Sequence, residues 1–219
     1  MSSLRGLDPA ELAPADVYAL LVGCVVPRPI AFVSSLSAGG IANLAPFSFF
    51  NAGGANPPSL VFAPVTSGAN RDKDTLNNVR ATREYVVHIS PWPLRERMNQ
   101  ASADYPPEVD EFEAAGFTKV KSARVKPWRV AECPIAMECR LHQIVEHGSG
   151  PLHANYVIGE VVYFHIDEAL MNGLRVDSGA IDAIGRLGGP NYTRVTRESI
   201  FSLPRPASTA PSTKGSPSK

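Results

Sequence analysis

The chain has 219 residues, 44% hydrophobic and 19% charged, with 21 Lys plus Arg against 21 Asp plus Glu. That is enough apolar material for one large domain, or two. A formal net charge of zero argues against a nucleic-acid partner and against a solvating acidic tail, and no apolar run reaches membrane-spanning length.

The 17 Gly and 20 Pro favour short strands and many turns over long helices. Nothing at the start pairs a basic stretch with an apolar run, so no signal peptide is expected. Cys24, Cys133 and Cys139 are odd in number and lack a CxxC, which predicts reduced thiols in a cytoplasmic protein.

Residues 1–13 are expected to be loosely ordered. A helix over 14–22 starts at Pro14, with Val17, Leu20 and Leu21 as its apolar face. Residues 28–58 follow, RPIAFVSSLSAGGIANLAPFSFFNAGGANPP. Ile30, Phe32, Ser34 and Leu36 share one face of a first strand; Ala31, Val33, Ser35 and Ser37 share the other. Ala38, Gly39 and Gly40 supply a turn. A second strand over 41–50 contains Pro46, which removes a ladder donor and marks an edge, a bulge or a break. Around it lie small or neutral polar residues: Asn43, Ala45, Ser48, Asn51, Ala52, Gly53 and Gly54. Two readings stand here, a seat for a flat molecule and a kinked barrel strand with a flexible loop.

Residues 60–64 form a third strand between prolines. In SGANRDKDTL (67–76) Asp72, Asp74 and Thr75 are all candidate N-caps for a helix running to about residue 83. A helix start with free N–H groups, a threonine and two nearby cations suits a phosphate. The same pattern also describes a well-capped surface helix with solvated Arg71 and Lys73. Residues 84–90 form a strand, and a helix begins at Pro93. Residues 104–116 read as a loop and a short acidic helix stopped by Gly116. Residues 135–147 and 153–166 alternate as a long β-hairpin. A helical turn over 167–171 and a turn-rich stretch over 183–197, with Arg186 and Tyr192, complete the globular part. From Leu203 on, LPRPASTAPSTKGSPSK reads as a disordered tail. About seven strands and a few short helices predict a mostly antiparallel barrel with helical additions.

Hydrolytic and metal machinery is missing from the pattern. There is no HExxH, and Cys139 and His142, three apart on a strand, point to opposite faces. The histidines His88, His142, His147, His153 and His165 read as surface or hairpin residues. No GxSxG, strand-linked GxGxxG or P-loop occurs. What remains is a binding seat whose cofactor carries the chemistry.

Six segments in order, RPIAFVSS, NLAPFSFFN followed by NPP, KDTLNN, MNQASADYPPEVDEFEAAGF, ECRLHQIV and GRLGGPNYTR, make the chain resemble the flavin reductase-like, FMN-binding split-barrel family over roughly residues 15–200. That family includes reductase components of two-component monooxygenases and flavoredoxins. The resemblance implies a mainly β fold, an antiparallel Greek-key split β-barrel with short peripheral helices, over residues 14–202. It implies a homodimer with FMN near the dimer interface. The match over 28–37 implies that Arg28, Ser34, Ser35 and Leu36 border the flavin. The match over 43–51 implies that Asn43, Ala45 and Ser48 edge the ring, with Asn51 nearby. The KDT match implies that Lys73 and Thr75 hold the phosphate, with Asp74 and Arg71 beside them. The GRLGG match suggests that Arg186 and Tyr192 close over the site. One departure from the family pattern is the hydroxyl-poor Ala52-Gly53-Gly54-Ala55, from which a weaker hold on the ribityl or phosphate is expected. The activity implied is hydride transfer from NADH or NADPH to FMN, with reduced flavin passed to a monooxygenase. An FMN-bound electron carrier and a non-catalytic binding module are the alternatives.

Overall fold

The structure is a computed structural model that describes residues 3–206. In chain order the strands are β1 (Arg28–Pro29), β2 (Ala31–Leu36), β3 (Ala42–Phe47), β4 (Phe50–Ala55), β5 (Pro58–Phe62), β6 (Glu84–Ile89), β7 (Lys119–Val120), β8 (Arg129–Val130), β9 (Ile135–His147), β10 (Ala154–Ile166), β11 (Met171–Asn172), β12 (Arg175–Val176), β13 (Ile184–Arg186) and β14 (Tyr192–Arg194). Helices α1 (Pro14–Cys24), α2 (Asp74–Thr82), α3 (Arg95–Gln100), α4 (Glu111–Ala114) and α5 (Ser178–Ile181) lie between or beside them.

Seven strands form one antiparallel sheet in the order β3-β2-β6-β9-β10-β5-β4. Its two outer members, β3 and β4, are joined by Ser48 and Phe49 alone. Three chain steps reach about 11 Å, whereas six strand spacings of a flat sheet would put these edges about 29 Å apart. The sheet therefore curls until its edges meet, and the Ala63 N–H donates to the Phe49 carbonyl at 2.8 Å at that junction. A mainly β barrel that is open along one seam is the result.

Both faces of β2 are buried, as its alternation requires. Ala31 and Val33 point into the barrel with Phe62, Tyr85, Val87, Cys139 and Val157, and α2 adds Leu76 and Val79. Ile30 and Phe32 point outward with Leu44, where Met98 of α3 and Phe112 of α4 cover them. The short helices thus close the outer face of β2 and β3 and bring α4 against β3. A separate three-stranded sheet, β1-β13-β14, lays residues 184–194 against the start of β2.

Several expectations change. Residues 41–50 are two strands, and the stretch expected as a flexible loop, Asn51 to Ala55, is β4, paired with β5 and largely exposed. Pro46 lies in β3, an edge strand of the sheet order, opposite Phe32 of β2, the kind of strand to which proline is confined. In α1 only Val22 is buried; Leu20 and Leu21 are exposed, because α1 rests on the barrel by one edge. His88 is wholly buried: Nδ1 donates to the Phe32 carbonyl at 2.9 Å and Nε2 accepts the Val130 N–H at 3.0 Å. Within the N-terminal stretch, Pro9–Glu11 forms one 3-10 turn. The tail read from Leu203 lies, from residue 207, outside the described residues. No helix among the described residues is long and apolar enough to cross a membrane.

Candidate functional site

The barrel seam opens into a groove. Its wide part holds about 500 Å³ and is lined by Tyr18, Phe49, Ser48, Met98, Arg186 and Tyr192, among others. Its narrow part holds about 90 Å³ and reaches the start of α2, between Asn43, Ala45, Lys73, Thr75, Tyr105 and Glu111. Pro46, Phe47, Lys73 and Ser102 line both, so the two adjoin along a shared wall. The combined volume lies in the range of small-molecule sites.

The wide part is aromatic with cationic edges. Tyr18 and Phe49 meet edge to face at 6.0 Å, and the Arg28 guanidinium lies 5.8 Å from the Phe49 ring centre. Arg28 is buried and spends its donors on the carbonyls of Val22 (2.5 Å), Val25 (2.9 Å) and Leu187 (3.0 Å) and on Ser48 Oγ (3.3 Å). It pins α1 and the 187 loop to the groove wall. Arg186 stacks over Tyr192 at 4.4 Å, donates to its hydroxyl and to the Gly189 carbonyl at 2.8 Å, and so forms one jaw of the groove.

The narrow end carries both signs at its mouth, Arg71 and Lys73 with Asp74 and Asp104, and is polar at its base. The N-cap of α2 is Lys73, and no side chain caps the helix. The pattern had offered Asp72, Asp74 and Thr75 for that duty. Asp72 instead pairs with Arg80, while Asp74 and Thr75 lie one and two residues too late, inside the first turn. The Leu76 N–H returns to the Lys73 carbonyl at 2.9 Å, which leaves the Asp74 and Thr75 N–H groups and the dipole of a nine-residue helix at the groove, with Lys73 and Arg71 beside them. Lys73 Nζ rests on Asp104 at 3.2 Å. Behind the mouth, the Thr75 hydroxyl donates to Asn43 Oδ1 at 2.6 Å, and Asn43 Nδ2 donates to Glu111 Oε1 at 2.8 Å. Glu111 Oε2 accepts the Leu44 N–H at 3.1 Å. Burial holds the Glu111 carboxyl above its ordinary range, and these N–H bonds offset only part of that rise.

Of the residues named from the sequence, Arg28, Asn43, Ala45, Ser48, Arg71, Lys73, Asp74, Thr75, Arg186 and Tyr192 are brought together around this groove. Four are not. Ser34 lies on the outer face of β2 and donates to the Trp128 carbonyl. Ser35 is sealed beneath Asn43, donating to its Oδ1 at 3.3 Å and accepting from Asn78 at 3.1 Å. Leu36 packs against the outer core under α3 and α4. Asn51 turns onto its own strand and accepts the Ala52 N–H. The Ala52–Ala55 segment lines neither part of the groove, so its lack of hydroxyls does not bear on what the groove holds. Glu111, Phe49 and Tyr18 were not read as site residues; they arrive from α4, the seam and α1, which no local pattern places side by side.

Residues 22–180 match the family model described as a flavin reductase like domain. The chain belongs to the flavin reductase-like family. It is similar to nitrilotriacetate monooxygenase component B from Bacillus cereus, at 35% identity and a TM-score of 0.87, over 93% of this chain and 100% of that one. It is also similar to 2-nitrobenzoate 2-nitroreductase NbaA from Pseudomonas fluorescens, at 34% identity and a TM-score of 0.82, over 94% and 100% of the two chains. A split barrel protein from Shewanella frigidimarina shares the fold at 21% identity and a TM-score of 0.76, over 90% of this chain and 96% of that one. The fold is thus a split barrel, and the family is one of flavin-related oxidoreductases.

Proposed function

We propose that this chain is an FMN-binding, NAD(P)H-dependent flavin oxidoreductase. The observation that carries the reading is the uncapped start of α2, with Lys73 and Arg71, at the narrow end of a groove whose wide end is walled by Tyr18, Phe49, Arg186 and Tyr192. A molecule with a phosphate at one end and a flat ring system at the other fits that layout. FMN, when bound, supplies the hydride acceptor for the nicotinamide. The residues supply the rest. Lys73, Arg71 and the first-turn N–H groups attract and orient a phosphate. Pro46 and Phe47 floor the passage between the two parts. Arg186 and Tyr192 bound the open side, where a nicotinamide would enter and where the stacked pair limits water.

The apolar rim beyond Tyr18, with Leu21, Val25 and Tyr156, is exposed and suits a second copy, giving a homodimer. The similarity to a monooxygenase component supports delivery of reduced flavin to an oxygenase. Unpaired Cys24, Cys133 and Cys139 suit a cytoplasmic setting. The domain is taken as residues 14–202. The test is anaerobic mixing of the protein with FMN and NADH or NADPH. Bleaching of the visible flavin band is expected; no bleaching with either nucleotide overturns the reading.

A further inference from the structure

The narrow end of the groove contains a contradiction if its occupant is an anion. Glu111, a carboxylate with 6% relative exposure, lines the same space as Lys73 and the start of α2. Both of its oxygens accept N–H bonds, from Asn43 and from Leu44. Since Glu111 takes only donors here, the Asn43 amide is held with Nδ2 toward Glu111 and Oδ1 toward α2. That oxygen in turn takes the hydroxyl protons of Thr75 and Ser35, while Asn78 Nδ2 donates to Ser35. Every bond of the chain points one way, toward Glu111. The Thr75 proton is therefore drawn inward, and the groove meets only lone pairs of that hydroxyl.

We propose that Glu111 is a specificity-determining residue that loosens the hold on a phosphate group, acting through Asn43 and Thr75 and by its own charge. This inference rests on the proposed function, in which the occupant is a flavin phosphate. It makes FMN a substrate that comes and goes rather than a fixed group. The chemistry is general: a hydroxyl that faces a phosphate with lone pairs cannot donate to it, and a carboxylate in the same small space repels it.

Glu111→Gln tests the idea at constant shape. The glutamine has one acceptor oxygen, which the Leu44 N–H retains. Its amide group then faces Asn43, the Asn43 amide turns over, and Nδ2 points at Thr75. The Thr75 proton is released toward the groove as the carboxylate charge is lost. Fluorescence-quenching titrations with FMN and with riboflavin are expected to show FMN at least about threefold tighter, and riboflavin unchanged within twofold. In a Thr75→Val background the same substitution should tighten FMN less, because no hydroxyl remains to be turned. Thr75→Val alone should leave the FMN to riboflavin ratio within twofold of wild type. A purely structural role for Glu111 would weaken both ligands together. An affinity for FMN relative to riboflavin that is lowered or unmoved in Glu111→Gln overturns this inference while leaving the flavin reading standing. A wild-type protein that binds neither flavin overturns both. Riboflavin binding and the thermal midpoint report whether each variant is folded.

Discussion

Lys73→Ala separates phosphate recognition from ring recognition. Lys73 is the N-cap of α2 and lines both parts of the groove. Its ammonium is half-exposed and rests on the exposed Asp104 at 3.2 Å. That surface pair contributes about 0–1 kcal/mol, so exchanging Asp104 for a phosphate costs little. A charge-assisted bond to a phosphate at a helix start is worth about 1.5–3 kcal/mol. The net loss expected for FMN on Lys73→Ala is about 1–2 kcal/mol, roughly five- to thirtyfold in Kd. Riboflavin, which lacks the phosphate, should change less than about twofold. Asp104→Asn removes the competitor for Lys73 and should tighten FMN by up to about fivefold. The assay is quenching of flavin fluorescence at fixed low ionic strength, repeated at high salt, where the FMN advantage should shrink. Equal losses for FMN and riboflavin in Lys73→Ala would refute the placement of the phosphate at α2.

Three further outcomes follow from the packing. Burial holds the His88 imidazole down at about 4, from an ordinary 6.5, so the folded chain refuses a proton that the unfolded chain accepts. Stability present above pH 6.5 should therefore be lost as pH falls towards 4, by at most about 3 kcal/mol, and urea midpoints should fall less steeply with pH in His88→Gln than in wild type. A Cβ at Gly159 would lie 1.9 Å from the Tyr85 hydroxyl oxygen and 3.1 Å from the Arg140 carbonyl, so Gly159→Ala should cost about 1–3 kcal/mol in thermal unfolding, partly restored by Tyr85→Phe. Arg28→Lys replaces a planar fork that ties three carbonyls and Ser48 with a single ammonium, and should cost about 2 kcal/mol in denaturant unfolding while loosening α1 in hydrogen exchange.

The strand content was legible because alternation is local. Both faces of residues 30–36 are apolar or small, and both prove to be buried, one in each core. The helix start near Lys73 was legible, since candidate caps crowd residues 72–75. Its true cap was not, because Asp72 prefers the Arg80 guanidinium, a contact that exists only once α2 has formed. Ser34 and Ser35 show the limit of a family match. Adjacent residues on a strand point to opposite faces, so at most one of the pair can face a given groove. Here the Trp128 carbonyl takes the first, and Asn43 covers the second. Glu111 was illegible for another reason. A short acidic helix reads as solvated surface, and only the packing of Phe112 on the outer core turns the neighbouring carboxylate into the barrel seam.

The seam itself explains why the site lies where it does. Ser48 and Phe49 must bridge the two outer strands of a seven-stranded order, and a bridge that short forces closure without giving β3 and β4 a shared ladder. Unpaired edge backbone is costly when buried and hazardous when exposed. The chain blunts one edge with Pro46, which has no N–H to leave unpaired, and covers the rest with side chains from α1, α3 and residues 186–192. Those covers do not meet over the seam, and the space between them is the groove. The proline that looked like a flaw in a strand is thus part of the solution to the closure problem, and the groove is what that solution leaves open.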